Sequence, residues 1–219
     1  MQPALVSVDP DDAERLIREC DFPAMRQNPL HLIMFPHSTP ETEEKEIQWT
    51  VEGLRETLQT RSAGFRKVCL ADGTPVGFAG WSLEQTIPEK SMAGVKCISE
   101  KRTQPIKCSE DGYWHPSTLD VKSWVEVSKM FRQEKRRVLA NRKNIWRLTM
   151  ISVNPAYQRQ GIGSLLLQWG TEEADRHGWD SFLISSPAAI TLYTKFGFQV
   201  VGEVHTSKGT FKSMFREAQ

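Results

Sequence analysis

The sequence predicts an α/β (α+β) protein, a mixed sheet flanked by helices. Three observations carry that expectation. β-Favouring runs and stretches with helical periodicity alternate along the 219 residues. Phe65 to Ala71 and Pro75 to Trp81 are joined around Asp72-Gly73, a common hairpin turn, so part of the sheet is antiparallel. Arg147 to Val153 is a β-favouring run that leads through a glycine loop into an amphipathic helix. Against roughly 150 residues per domain, the length of 219 predicts a single domain over 1–219 that carries an insertion.

The elements follow in order. Ala4 to Val8 reads as a short strand. Asp9, Asp11 and Asp12 offer caps for a helix over roughly Pro10 to Cys20, with Ala13, Leu16 and Ile17 on one face. Phe22 to Pro40 is punctuated by prolines, and Glu41 to Thr60 reads as a second helix with an acidic start. After the hairpin, Ser82 to Pro116 has three prolines, two glycines, many charges and no period, so it is read as an insertion before the fourth core strand. Ser117 to Asp120 resembles a capping box for a helix that runs to about Leu139. That helix ends in Arg132, Lys135, Arg136 and Arg137. These side chains either complement the helix dipole in solvent or form an anion site, for instance for a ribose phosphate.

Composition narrows the function. With 28 Lys plus Arg and 27 Asp plus Glu, the net charge is +1, which lacks the overall basic bias of a dedicated nucleic-acid binder. The 25% charged and 39% hydrophobic content argues against a disordered chain. No apolar run approaches the ~20 residues of a membrane helix, and Met1 to Asp12 does not read as a secretory signal. Cys20, Cys69, Cys97 and Cys108 are scattered, which fits thiols in a reducing cytosol. The five histidines show no metal-ligand spacing, so no metal is expected. Of seven tryptophans most should be core, with Trp114 a candidate wall of a substrate pocket.

The chemistry concentrates after Asn154-Pro155, which stops the strand. Gln158-Arg159-Gln160-Gly161-Ile162-Gly163-Ser164 opens a helix with Ile162, Leu165, Leu166 and Trp169 on one face, and Gly178 caps its end. The first amides of a helix lack internal partners and carry about half a positive charge. Gly161 and Gly163 remove Cβ atoms from that end, which makes it an anion cradle. No Lys follows Gly163, which excludes a P-loop, and the third glycine of a dinucleotide fingerprint is absent.

The form Gln/Arg-x-x-Gly-x-Gly after a strand ending Val-Asn-Pro, followed some thirty residues later by Ser186-Pro187-Ala188-Ala189-Ile190-Thr191-Leu192-Tyr193-Thr194-Lys195-Phe196-Gly197-Phe198, resembles the GNAT superfamily of N-acetyltransferases. The likeness is strong over Arg147 to Gly202, rests on element order over Ala4 to Trp81, and has the form of small fungal members. It implies a central sheet splayed open at its middle, with acetyl-CoA in the gap. It implies that the backbone of Ile151, Ser152 and Val153 pairs with the pantetheine arm. Arg159, Gln160, Gly161, Ile162, Gly163 and Ser164 would wrap the diphosphate, while Ser186, Ala189 and Tyr193 would face the cofactor.

Acetyl transfer to an amine needs a base for the ammonium, a donor for the developing oxyanion and an acid for the departing thiolate. Ile151 N–H is the expected donor and Tyr193 the expected acid. The base stays open. The strands Arg147 to Val153 and Ser181 to Ser185 contain no carboxylate. A water relayed through backbone or Ser185, a loop residue such as Glu84, His115, His205 or Asp120, or an acceptor already neutral at pH 7 would each serve. The expected substrate is a small-molecule amine, with no nucleic acid or membrane partner. A protein or peptide acceptor and a non-catalytic acyl-CoA-binding module are the alternatives.

Overall fold

The computed structural model describes residues 3–59, 63–84 and 114–219. Its seven-stranded sheet has the order β1-β2-β3-β4-β5-β7-β6. The strands are β1 (Ala4–Ser7), β2 (Ala63–Cys69), β3 (Pro75–Glu84), β4 (Ile145–Val153), β5 (Asp180–Ser185), β6 (Gln199–Thr206) and β7 (Gly209–Arg216). All neighbours are antiparallel except β4 and β5. The terminal hairpin β6–β7, which sequence reading did not resolve, supplies β5 with its second neighbour. Of the expected insertion 82–116, residues 85–113 lie outside the described residues, Cys97, Cys108 and Tyr113 among them.

The expected splay is a feature of the register. β4 and β5 pair only at Ile145↔Asp180, Trp146↔Ser181 and Arg147↔Phe182. Beyond Arg147 the rest of β4 stays on β3, while β5 stays on β7 through Ser185. A wedge therefore opens between the two parallel strands.

Helices cover both faces. Helix α1 (residues 10–25) is longer than predicted and is not uniform. A 3-10 turn and an α-helical turn lead into a π turn at Ile17–Asp21, then into Phe22–Met25. Pro23 explains the π turn, because it has no N–H to donate to Glu19 and the register must change there. Phe22 N–H accordingly reaches Ile17 O. Leu16, Ile17 and Cys20 are fully buried, packed with Val51 and Leu54 of α3 (Glu43–Leu58) against Phe65 and Phe78 of the sheet. Between them lies the short helix α2 (Pro29–Met34).

The opposite face carries α5 (Ile162–His177), whose Ile162, Leu166, Leu167 and Ala174 pack on Trp81, Trp146 and Leu148. Each fully buried leucine there contributes roughly 1.5–3 kcal/mol. Of the seven tryptophans only Trp81 and Trp146 are fully core, and Trp114 is 43% exposed. The last helix is α6 (Ile190–Lys195).

Helix α4 (Val121–Leu139) lies beside the wedge. Its cap is Asp120 rather than Ser117: Asp120 Oδ1 accepts from Ser123 N–H at 3.0 Å, and Oδ2 accepts from Ser123 Oγ at 2.8 Å. Val138 and Leu139 pack on Ile145, Phe182 and Phe215. Midway, Glu134 bonds Arg137 and the buried Ser213 hydroxyl, and Arg137 reaches Val201 O at 2.8 Å. Gly202 makes that docking possible, since a Cβ there would come to 2.1 Å of both Glu134 and Arg137.

Candidate active site

The wedge is a cleft of about 560 Å³. β4 forms one wall from Arg147 to Ser152, and Phe182 to Ile184 of β5 forms the other. Ser186, Ala189 and Tyr193 close one side; Asp21, Met25 and the α4 side chains close the other.

A bulge sets which groups β4 presents. Gly80 pairs with Met150 and Trp81 with Leu148, so Thr149 is the extra residue, its hydroxyl donating to Gly80 O at 2.8 Å. Past the bulge, Met150 packs with the α1 face, while Ile151 and Val153 pack with the α5 face. Asn154 N–H donates to Val76 O at 2.9 Å. Antiparallel alternation then turns the Ser152 amide towards β3 and the Ile151 and Val153 amides towards the wedge. There β5 no longer pairs with them. Of the three predicted backbone contacts, Ile151 and Val153 therefore offer their N–H groups, and Ser152 contributes its side chain instead.

That side chain leads to a residue the sequence reading missed. Ser152 Oγ donates to Asp21 Oδ1 at 2.5 Å. Asp21 sits on the π turn of α1, is 9% exposed and lines the cleft. Burial pushes its carboxyl above the ordinary aspartate value, and the Ser152 hydrogen bond partly offsets that. The available signal was a carboxylate four residues after Ile17, on the apolar stripe of the helix, two residues before a proline.

Tyr193 also lines the cleft and is 4% exposed, edge-on to Phe198 with ring centroids 6.1 Å apart. Burial raises its pKa well above that of a free phenol, so it holds its proton throughout the neutral range. Ser186, in extended conformation, and Ala189 stand beside it.

The cradle lies past the end of β4. Asn154 Oδ1 accepts from Ala156 N–H at 2.9 Å, and Gln158 Nε2 donates to Val153 O at 3.0 Å, fixing the loop to the strand. Arg159 and Gly161 are left-handed, at φ 63° and 85°, which curls the backbone into a concave nest. A Cβ on Gly161 would meet no atom within 4 Å, so that side is open, but its φ favours glycine. Helix α5 begins its internal bonding at Leu165 N–H to Gly161 O, 2.9 Å. The amides of Ile162, Gly163 and Ser164 precede that bond. A Cβ on Gly163 would point at Leu192 (3.4 Å) and Val153 (3.9 Å), so this glycine faces the protein rather than the open mouth, contrary to the expectation.

The bases considered from sequence are elsewhere. Glu84 holds Arg147 at 2.6 Å and Lys135 at 3.0 Å, and these cations keep its carboxyl below the ordinary glutamate value despite burial. Asp120 is the α4 cap. His115 Nδ1 lies 3.1 Å from Pro116 O, and the His205 side chain is 75% exposed beside Thr210. Ser185 donates to Ser186 O at 2.7 Å. Neither these residues nor Trp114 line the cleft.

A splayed sheet, amides turned into the wedge and a glycine-bearing nest at the strand's end make up the candidate site. Residues 127–200 match the family described as the acetyltransferase (GNAT) domain. Its family uses acetyl-CoA, and the open amides and nest fit that molecule's arm and diphosphate. An acetyltransferase of the fungus Stachybotrys chartarum is 24% identical over 138 residues, 62% of this chain and 53% of that protein. The ribosomal protein bS18-alanine N-acetyltransferase of Escherichia coli strain K12 is 42% identical over 52 residues, 22% of this chain and 35% of that protein. The chain thus spans about half the length of the fungal relative and less of the bacterial one. The crystal structure of arylalkylamine N-acetyltransferase 2 from Aedes aegypti shares the fold, with a TM-score of 0.67 over 100% of both chains at 12% identity. Among the described residues no helix is long and apolar enough to cross a membrane.

Proposed function

We propose that this protein transfers an acetyl group from acetyl-CoA to the primary amine of a small molecule. The observation that carries the reading is the convergence, in one cleft, of the open Ile151 amide, the buried Asp21 carboxylate and the buried Tyr193 phenol. Acetyl-CoA, when bound, supplies an electrophilic thioester carbonyl. The Val153 amide holds the pantetheine arm as an added strand, and the 159–164 nest receives the diphosphate.

Asp21 accepts the proton of the incoming ammonium. Its raised pKa brings it closer to the working pH, which suits a general base. Ile151 N–H donates to the oxygen on which negative charge develops, a contact worth roughly 3 kcal/mol in comparable sites. Tyr193 O–H donates its proton to the thiolate as the carbon–sulfur bond breaks. Helix α4 walls the cleft, which favours a small acceptor over an extended peptide. The 42% identity of one segment to an enzyme that acetylates a ribosomal protein's alanine supports the peptide alternative.

Two measurements test the reading. Acetyl-CoA should raise the melting temperature by mass action, and free thiol should appear when amines are added. Binding without thiol release across an amine panel would leave an acyl-CoA-binding module and remove the transferase.

A further inference from the structure

The cleft also has a cationic wall. Arg132, Lys135 and Arg136 line it from α4, and Arg147 lines it from β4. Spacing of three and four residues puts the α4 side chains on one face of the helix. Glu84 balances Lys135 and Arg147, bonding both. Arg136 is exposed and forms no ion pair among the described residues, so the wall keeps excess positive charge. Apolar lining comes from Met25, Leu30 and Phe131, the last edge-on to Phe211 at 5.0 Å, with Asn28 and Ser128 the polar residues among them.

The cofactor's phosphates do not account for this wall. The diphosphate nest begins past Val153, and Arg147 precedes Val153 by six residues, roughly 20 Å of extended strand. Arg147 is where β4 and β5 part, at the closed end of the wedge. We infer that the acceptor is an amine carrying an anionic group, a carboxylate or a phosphate, held by Arg132 and Arg136 while its nitrogen reaches towards Asp21 across the apolar floor. This rests on the acetyl-transfer reading. A cationic wall repels a simple alkylammonium and attracts a zwitterion.

Paired acceptors test it: 4-aminobutyrate against butylamine, and phosphoethanolamine against ethanolamine, each followed by thiol release from acetyl-CoA. The anionic member of at least one pair should show a kcat/KM at least tenfold higher, and which pair responds separates carboxylate from phosphate. Arg136→Glu lies on an exposed side chain and should fold. It should raise KM for the anionic member roughly tenfold or more, as expected for a lost charge-assisted contact. It should not weaken turnover of the member that lacks the anion, whose ammonium the wall repels, and it should leave the calorimetric affinity for acetyl-CoA unchanged. Equal turnover within both pairs overturns the inference while leaving the transferase standing. A fall in acetyl-CoA affinity in Arg136→Glu also overturns it, because the arginines would then hold a cofactor phosphate. A readout without turnover separates the two readings. Calorimetry of the CoA-saturated protein should show N-acetyl-4-aminobutyrate or N-acetylphosphoethanolamine binding more tightly than its uncharged counterpart. That preference without thiol release keeps the anion site and removes the transferase.

Discussion

Replacing Asp21 by Asn separates its chemistry from its packing. The amide has the same shape and keeps an oxygen to accept from Ser152 Oγ, now 2.5 Å from Asp21 Oδ1. It cannot take a proton from an ammonium. Loss of a positioned base lowers kcat roughly 10²–10⁴-fold, or about 3–5 kcal/mol in the barrier. Stability should move the other way. The folded pKa of Asp21 lies above its ordinary value of 3.8, raised by burial. A group so shifted adds stability below its unfolded pKa and loses it as pH rises through the folded pKa. At pH 7, above the ordinary value of 3.8, burial of this carboxyl therefore burdens the fold. Asp21→Asn should melt at the same temperature as the parent or higher at pH 7, with that advantage gone below pH 3.8. Steady-state thiol release and thermal melts at pH 3.5 and 7 measure both effects. Unchanged kcat at saturating amine, or a lower melting temperature at pH 7, would refute the argument that this carboxylate is held for catalysis at the expense of stability.

Other outcomes follow from neighbouring contacts. Ser152→Ala removes the one hydrogen bond that lowers the Asp21 pKa, so the acid limb of the pH–rate profile should move to higher pH; an unmoved limb detaches Asp21 from that titration. Tyr193→Phe should lose roughly 10²-fold in kcat with calorimetric acetyl-CoA affinity kept; an unaltered rate removes Tyr193 from thiolate protonation. Gly161→Val forces a branched residue into φ 85°, a strain of about 1–3 kcal/mol. Its side chain would project over the open nest, so the melting shift with acetyl-CoA should vanish; a retained shift moves the diphosphate elsewhere.

Local chemistry made much of this site readable. Asn154-Pro155 stops a strand wherever it occurs, and a glycine pair after it opens a helix whose first amides are free. The cradle, the helix 162–177 and its Gly178 cap were therefore visible from neighbours within a few residues. Asp72-Gly73 marked the β2–β3 hairpin for the same reason. Asp21 was not visible, because its burial and its hydrogen bond to Ser152, 131 residues away, come from tertiary packing. Nothing near Glu84 in the chain marks it as an ion-pair partner of Arg147.

The sequence alone determined where the β2–β3 hairpin turns, where β4 stops and that it feeds the helix opening at Ile162, since all of these are set by backbone preferences over short distances. Only the tertiary structure decided which carboxylate faces the wedge, that the Thr149 bulge separates the Met150 and Ile151 side chains onto opposite faces, and that the basic end of α4 lines a cleft. Those outcomes depend on which distant surfaces pack together. Packing changes the solvation, and with it the charge state, of a side chain whose local sequence reads the same either way.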